Sequence, residues 1–478
     1  MAFKHGVTIN EQATSVLAPV QATSGIPFVV GTAPVHLASA AAPVNTPVLA
    51  FTYAEAIAAL GYSDNWDDYT LCEFIRSHFA LYGMAPMILV NVLDPSKHKT
   101  TTDPAPVQVL NRTAVIKVEG VLLQTLSVKS TDGSTTYKKD ADYTAAFNDE
   151  GHVLITTKGS AVAVASLQVA YDKLDPGAVT ANDVIGGVTL EGQYTGFELI
   201  NQVYPRFGIL PDLVLAPGWS HDPMVAAVMK AKAGNINGNF KAMALTDIDP
   251  VQKYTDAGKW KSDNNYTGSL QIPAYPMLTL GDKRYHYSTQ LAGLIAQTDT
   301  ANGGIPFASP SNKALQADGT ALANGTEQFL GIDQASYLNS LGIMTALNLG
   351  TSGWRSWGNN TGAFPSVTDP KDSFIPIRRM FNWIGNSLIL TYMQKVDDPM
   401  NKRLIAAVTD SVNIWLNGLT TSGALLGGRV EFLESENPNT SLMAGKVTFH
   451  VFITPPGPAQ EINFLLEYDT TYLSTLAA

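Results

Sequence analysis

The sequence has almost none of the residues that build disulfide or metal-bound frameworks. Cys72 is the only cysteine among 478 residues, which excludes a disulfide framework and any metal site with several cysteine ligands within one chain. The eight histidines are scattered and never fall at the spacing of a metal-binding motif. We therefore expect neither a bound metal nor a cofactor.

Sequence motifs for catalysis are missing as well. No GxGxxG, GxSxG or HExxH pattern occurs. The stretch Gly423–Arg429 lacks the Gly-Lys-Ser/Thr ending of a phosphate-binding loop and follows a predicted helix, so we interpret its first glycine as a helix cap. The carboxylates of Asp397-Asp398 and Glu431–Glu436 are typical of solvated loops. The sequence predicts no catalytic residues and favours a structural role for the protein.

Charged residues are scarce, at 15% of the chain with a net charge of −11. Basic residues form no run longer than pairs such as Arg378-Arg379, which argues against a nucleic-acid partner. Residues 12–54 lack charge altogether, but five prolines interrupt them, so no apolar run is long enough to span a membrane. The start lacks the apolar segment of a signal peptide. We expect a soluble protein made in the cytosol, without direct membrane insertion.

The sequence does contain alternating strand and helix patterns. The apolar runs PFVVGT, PMILVNVL, PDLVLAPG and KAMALTDI suit buried strands. Between the first two, apolar residues recur at helical spacing from Leu71 to Tyr82, with Gly83 as a cap and His78 as an expected core histidine. Asp222 and Pro223 are typical of a helix start. This order indicates βαβ units.

Two regions differ from this pattern. Residues 98–184 contain strand-like runs joined by polar turns such as STDGST, and they predict a small all-β domain inserted into the α/β domain. In the last third, Pro376 opens one predicted helix and Asn401 precedes another, whose apolar stripe runs from Leu404 to Leu419. The strand-like runs GRVEFLE and GKVTFHVFIT come next.

Both ends of the sequence carry alternating stretches without a local partner. Val7 and Ile9 share one side of the first stretch. In the last stretch, INFLLEYDTTYL, one side of the predicted strand carries Ile462, Phe464, Leu466 and Tyr468. No turn and no second strand follow it. The pattern alone leaves open what such a strand pairs with.

Motifs along most of the chain resemble the contractile tail sheath proteins of temperate myophages and R-type bacteriocins. The last third carries YLNSLGIMTALNLGTSGWRSWGNNTG, FIPIRRMFNWI, WLNGLTTSGALLGGRVEFLESENPNT and AGKVTFHVFITPPGPAQEINFLLEYD; earlier segments are FKHGVTINEQ, VVGTAP, VLAPG and GIPFASPSNKAL. The resemblance omits residues 98–184, which vary among sheaths. Many sheaths have Arg-Thr where this sequence has Asn359-Asn360-Thr361, so we assign that loop no charge-based role.

The patterns and the resemblance together imply a multidomain protein of the α+β and α/β classes. We expect mixed-sheet core domains with helices, an inserted all-β domain, and extended strand-like arms. The predicted division is an N-terminal arm (1–24), an α/β middle domain (25–97 plus 185–350), the inserted β domain (98–184), a C-terminal sheath domain (351–461) and a C-terminal arm (462–478).

The resemblance implies how the arms work. In sheaths, both arms leave their own subunit and add strands to the C-terminal domains of neighbours, a form of β-augmentation. The expected acceptor is the sheet edge at GKVTFHVFIT, with hinges near Gln21–Gly25 and Pro455–Pro458. The residues expected to be donated are Val7, Ile9, Ile462, Phe464, Leu466 and Tyr468.

The implied partners are other copies of the chain, in hexameric rings stacked helically, the tail tube protein, and the baseplate and tail terminator proteins. Contraction would drive the tube through the host envelope for genome ejection, from a virion assembled in the host cytoplasm. Sheaths touch the tube through a helix of the C-terminal domain; by position, we expect Lys402 and Arg403 to make this contact.

Three alternatives stay open at this point. The chain could form the sheath of a headless R-type bacteriocin particle, or part of a secretion-system sheath, although those systems divide this role between two chains. It could also be a carbohydrate-active enzyme with a β binding module. The enzyme alternative predicts a pocket with two facing carboxylates, and terminal strands paired within the chain would contradict every sheath interpretation.

Overall fold

The computed structural model describes residues 19–148 and 150–476. Its first part, up to residue 97, contains strands and helices in alternation. Their bounds are β1 (Pro27–Gly31), β2 (Val48–Ala50), α1 (Tyr53–Leu60), α2 (Thr70–Ile75), which continues as a π-helix (Arg76–Leu81), and β3 (Met87–Asn91).

The predicted inserted region is built of short strands. They are β4 (Lys99–Thr101), β5 (Ala105–Gln108), β6 (Thr113–Ile116), β7 (Ser127–Lys129), β8 (Tyr143–Phe147), β9 (Val153–Thr157), β10 (Ser166–Ala170) and β11 (Asp172–Leu174). Two three-stranded sheets, β5-β10-β7 and β6-β9-β8, enclose a separate small core. The β11-β4 pair forms the base of the region. The run TAVIKVEGVLLQTLSV, whose pattern predicts two strands around Glu119-Gly120, contributes to β6 and β7, which belong to different sheets.

The middle of the chain returns to helices and strands. The elements are α3 (Ala181–Ile185), β12 (Gly186–Val188), β13 (Tyr194–Gly196), α4 (Ile200–Phe207), β14 (Leu213–Leu215), α5 (Pro223–Gly234), β15 (Met243–Asp247), α6 (Tyr254–Asp263), β16 (Gln271–Ala274), β17 (Met277–Leu280), β18 (Lys283–Tyr285), α7 (Tyr287–Ala301), β19 (Gly319–Ala321), α8 (Ile332–Ser340) and β20 (Thr345–Asn348).

The last part is dominated by two long helices. Its elements are β21 (Trp354–Trp357), α9 (Pro370–Ser373), α10 (Ile375–Tyr392), α11 (Lys402–Thr421), β22 (Gly427–Glu431), α12 (Asn439–Met443) and β23 (His450–Thr454). Short 3-10 helices connect several elements along the chain, and the last of them is Thr470–Leu476.

The core of the molecule is a six-stranded sheet in the order β16-β15-β14-β1-β3-β2. All of its strands run parallel except β2, which pairs antiparallel with β3. β1 and β3 are buried along their whole length, which explains why they appear as unbroken apolar runs in the sequence. The four predicted strands are thereby confirmed, and their parallel pairing requires the helical crossovers that the sequence indicates.

Local signals in the sequence are also confirmed. Asp222 caps α5 by accepting hydrogen bonds from the backbone N–H groups of Met224 and Val225. His78 is fully buried beside Phe74, with ring centroids 5.1 Å apart, and burial lowers its pKa to about 3. It is therefore a neutral core residue. No helix in the described ranges is both long and apolar enough for a membrane crossing.

A second core lies around α10 and α11. The predicted stripe of α11 is confirmed, since Val412, Leu416 and Leu419 are buried against Trp383 of α10. Asn401 caps α11 by accepting from the N–H of Leu404 at 2.9 Å. Helix α10 lies between the two cores, because Ile375 belongs to the central core and Trp383 to the second one. The domain boundaries themselves stay predictions.

A buried cation joins the two cores. Arg379 of α10 donates from Nη2 to Asp212 at 2.7 Å and to Asp299 at 2.5 Å, and Nη1 donates to Asp299 at 2.9 Å. The side chains of Arg379 and Asp299 are only 2% and 1% exposed. Burial lowers the pKa of Arg379, but the two carboxylates raise it well above its ordinary value. The guanidinium is therefore charged, and we call this group the Arg379 cluster.

Removing the cation should destabilise the fold. In Arg379→Ala, Asp212 and Asp299 would stay buried without their partner, and breaking a buried pair in this way costs about 3–5 kcal/mol. Urea unfolding followed by tryptophan fluorescence measures the loss. The matched control is Lys395→Ala, because Lys395 pairs with Asp398 with both side chains 43% exposed, and such surface pairs contribute about 0–1 kcal/mol. Equal stability of the two variants would contradict the role of the cluster.

The His286–Glu73 pair makes stability depend on pH. Burial lowers the pKa of His286, but Glu73, 2.8 Å from its Nδ1, outweighs burial and raises it from 6.5 to about 9. A raised folded-state pKa stabilises the fold fully below pH 6.5, and this contribution disappears as the pH rises through 9. We expect unfolding free energy to fall across that window in the natural sequence and to fall less in His286→Gln. Parallel pH profiles for the two proteins would refute the assignment.

Candidate assembly site

The C-terminal segment that the sequence predicts as a strand is unpaired in the single chain. Residues 455–469 form neither helix nor strand. The four side chains expected on one side are strongly exposed, at 69% for Ile462, 84% for Phe464, 97% for Leu466 and 76% for Tyr468. Burying one large apolar side chain stabilises by about 1.5–3 kcal/mol. The segment therefore has a strong tendency to pair with another surface.

Internal pairing of the terminal strand would contradict a sheath, and the structure does not contain it among residues 19–148 and 150–476. The donation of Ile462 to Tyr468 to a neighbour stays a prediction. Val7 and Ile9, the expected donors of the N-terminal arm, lie outside the described residues.

The expected acceptor sheet has one covered edge and one open edge. β22 and β23 pair antiparallel, with Val430 opposite Val451. On the outer side of β22, Asn413 of α11 bonds to both backbone groups of Val430: its Oδ1 accepts from the N–H at 2.9 Å, and its Nδ2 donates to the carbonyl at 3.2 Å. In the described part of the chain, no strand pairs with the outer edge of β23. An added strand is therefore expected at His450–Thr454.

The two faces of β23 differ. Val451 and Ile453 pack on the second core, while Phe452 lies on the other face, where Arg429 stacks over its ring at 4.0 Å and His450 stacks beside it at 4.0 Å. These contacts hold β23 in place while its outer edge stays free. An unpaired edge of this kind is a template for strand addition.

The N-terminal segment is attached to α10 by side chains that recur every four residues. We call Arg379, Trp383, Ser387 and Thr391 the polar ladder. Thr391 Oγ1 accepts from the N–H of Val20 at 2.8 Å, and Ser387 Oγ accepts from the N–H of Ala22 at 2.9 Å. Trp383 Nε1 donates to the carbonyl of Ala22 at 2.8 Å, and Arg379 Nη2 donates to Ser24 Oγ at 3.3 Å.

The spacing of the polar ladder along α10 is close to the spacing of alternate residues in an extended segment. Four helical residues rise about 6.0 Å, and two extended residues span about 6.6 Å, so Val20 and Ala22 meet successive turns of α10 at Thr391 and Ser387. Ala22 also bonds to Trp383 one turn further along. The two run antiparallel, because Val20 meets Thr391 and Ser24 meets Arg379. The hydroxyls of Ser387 and Thr391 also donate to carbonyls one turn earlier in the helix, which points their lone pairs at the segment.

In the single chain these contacts hold the segment at the place where a hinge is predicted, Gln21–Gly25, and the hinge itself stays a prediction. Ala22 is 5% exposed, and Ser24 donates to Asp299 at 2.5 Å. Gly25 has φ +71° and lies so close to α7 that an added Cβ would be 2.7 Å from the Cα of Ala296. The four-residue spacing of the polar ladder is visible in the sequence. Nothing in the sequence says which segment it would bind.

The residues expected at the tube are accessible. Lys402 and Arg403 are exposed in the first turn of α11, and neither forms an ion pair with any described residue. The preceding connection also exposes apolar side chains, with Met393 52%, Val396 65% and Met400 38% exposed. This surface suits an acidic partner, but contact with a tube stays a prediction.

The structure has one cleft at the usual place for a ligand. A space of about 600 Å³ lies at the carboxyl ends of β1, β14 and β15, where open α/β sheets bind ligands. Its wall includes Glu73, Asp249 and His286, but Glu73 is occupied by His286. Across the described ranges, no group of three or more His, Cys, Asp or Glu side chains could hold a metal ion.

Comparisons with known proteins relate the chain to sheaths along its length. No family model matches it. It is 29% identical to the tail sheath protein of Burkholderia phage BcepMu, over 99% of this chain and 98% of that protein. It is 24% identical to the tail sheath protein of Escherichia phage P2, over 63% of this chain and 74% of that protein.

A solved structure shares the fold. The sheath of the extracellular contractile injection system PVC, in its contracted state, superposes with a TM-score of 0.59 at 14% identity, over 99% of each chain. The two phage relatives are named as sheath proteins, which are structural rather than enzymatic. Together with the motifs in the sequence, these similarities support a relationship of the chain to the family of contractile tail sheath proteins.

Proposed function

We propose that copies of this chain join into stacked hexameric rings around a tail tube, held together by terminal strands donated to neighbouring copies. The family gives the coarser function, which is the sheath of a contractile phage tail or a related injection system, and hence a component of the virion. The finer mechanism is argued from the chain's own surfaces.

The observation that carries the proposal is the match between an unpaired strand and an unpaired edge. Residues 462–468 expose a row of large apolar side chains, and β23 has one outer edge without a strand beside it in the described residues. Within one sheet, main-chain hydrogen bonds would give affinity, and alternate side chains would give specificity. Asn413 covers the edge of β22, so within this sheet the outer edge of β23 is the one left for a donated strand.

Contraction would then need no nucleotide. Subunits that move as rigid bodies can pass from one lattice to another when the second lattice has more favourable contacts. The Arg379 cluster supports rigid-body movement, because it fixes the central core, α10 and the root of the N-terminal segment to one another. The donated strands would keep neighbours connected while the sleeve shortens and drives the tube through the host envelope.

The proposed partners follow from the same surfaces. Lys402 and Arg403 would contact an acidic tail tube protein through exposed ion pairs, each contributing about 0–1 kcal/mol. Such pairs are weak enough to break on contraction. The sleeve would be bounded by baseplate and tail terminator proteins, and subunits would assemble in the host cytoplasm.

Deleting residues 462–478 tests strand donation. The truncated chain should fold with an unchanged circular dichroism spectrum, because the side chains of 462–468 are exposed in the single chain. We expect it to stay monomeric in negative-stain electron microscopy, while the full chain forms long striated cylinders. Cylinders of normal length from the truncated chain would contradict the proposal.

Point variants test the role of the donated side chains without changing the length of the arm. Phe464→Asp combined with Leu466→Asp should abolish cylinders, because a sheet-bound strand would bury two unpaired charges. The matched control is Asn463→Asp, which adds one charge at a residue expected on the opposite side of the strand, and it should assemble. Sedimentation velocity gives the fraction polymerised for each protein.

Charge reversal tests the tube contact apart from self-assembly. Lys402→Glu with Arg403→Glu should leave tube-free cylinders intact and reduce co-assembly with the tail tube protein at least tenfold. Lys395→Glu, on the preceding connection, is the control and should co-assemble nearly as well as the natural sequence. Equal co-assembly of all three proteins would show that the tube contact lies at another surface.

A further inference from the structure

The N-terminal segment from Val20 to Ile26 is held much more firmly at one end than at the other. At its inner end, Ser24 and Ile26 bond to the Arg379 cluster: Ile26 donates its N–H to Asp212 at 2.8 Å, and Ser24 bonds to Asp299 and Arg379. These partners belong to the ion cluster of the Arg379 guanidinium, and the side chain of Asp299 is 1% exposed. Charge-assisted bonds of this kind are about twice as strong as neutral ones.

At its outer end the attachment is a single neutral hydrogen bond. Val20 is 50% exposed, and its N–H reaches the Thr391 hydroxyl in the last turn of α10. The middle position, Ala22, has two neutral bonds, to Ser387 and Trp383. The strength of attachment therefore rises in order from Val20 through Ala22 to Ser24 and Ile26.

We propose that this segment is a strap that releases stepwise from the Val20 end and stays anchored at the Arg379 cluster. Detaching Val20 and Ala22 breaks three neutral hydrogen bonds and leaves the ion cluster intact. The three residues from Val20 to Ala22 then become free, while Thr23 stays bonded to the carbonyl of Leu210, and this adds about 10 Å to the reach of whatever precedes Pro19. The reach changes without any change in the body of the protein.

This inference rests on the proposed function for its use. If an arm stays paired with a neighbour while subunits rotate, the distance from its root to that neighbour changes between the two lattices. A strap that lengthens in steps of one helical turn of α10 would supply the difference without breaking the donated strand. Thr391 and Ser387 are then positioning residues that set the length of the free arm.

Hydrogen exchange on the free, full-length chain tests the strap directly. The amide of Val20 should exchange fastest, that of Ala22 more slowly, and that of Ile26 slowest. Thr391→Val keeps the shape of the side chain and removes the acceptor, so Val20 exchange should rise about tenfold while Ile26 is unchanged. Thr391→Ser, which keeps the hydroxyl, should behave like the natural sequence.

Ser387→Ala should accelerate Ala22 exchange in the same selective way and leave Ile26 unchanged. The inference is overturned if the three amides exchange at one rate, or if Thr391→Val accelerates all of them equally, because the segment would then open only with the whole fold. Failure of the chain to form cylinders would count against the proposed function alone, since the exchange pattern belongs to the free chain.

Discussion

The buried guanidinium of Arg379 is the constraint on which the rest of the structure depends. It lies on α10, between two hydrophobic cores, and binds a carboxylate that precedes β14 and another on α7. The N-terminal segment bonds to the same three side chains. One charged group therefore fixes the orientation of the central sheet, the helical pair and the root of the arm. A charge so deeply buried is tolerated only because all of these partners are in place.

This arrangement leaves most of the molecule packed and paired within the chain and leaves other parts unpaired or exposed. The central sheet is buried on both faces, and the helical pair carries its own core, so the body has little reason to change shape. The unpaired or exposed groups are the outer edge of β23 and the apolar side chains of 462–468. Under the proposed function, a subunit built this way would gain stability by joining copies of itself.

Much of the body could be predicted from residue patterns, because the determining interactions are local. The apolar runs give β1 and β3, Asp222 and Pro223 give the start of α5, and the stripe from Leu404 to Leu419 gives the buried face of α11. The order of strands in the sheet could not be read this way, since it depends on contacts between residues far apart in sequence. The same holds for Arg379, which appears in the sequence as half of an ordinary basic pair.

The arms show where sequence reasoning fails and why. A hinge near Gln21–Gly25 was expected because the arm meets the body there, yet the ladder on α10 binds that segment in the single chain through bonds that span more than 350 residues of sequence. The predicted C-terminal strand is not formed in the single chain, because it lies beside no other strand of the described residues.

The most direct measurement is a cryo-electron microscopy structure of the assembled cylinder at side-chain resolution. The account predicts that residues 462–468 of one copy form main-chain hydrogen bonds with the outer edge of His450–Thr454 in another copy, while the Arg379 cluster is unchanged from the single chain. A cylinder in which that edge stays empty, or in which the segment pairs within its own chain, would contradict it.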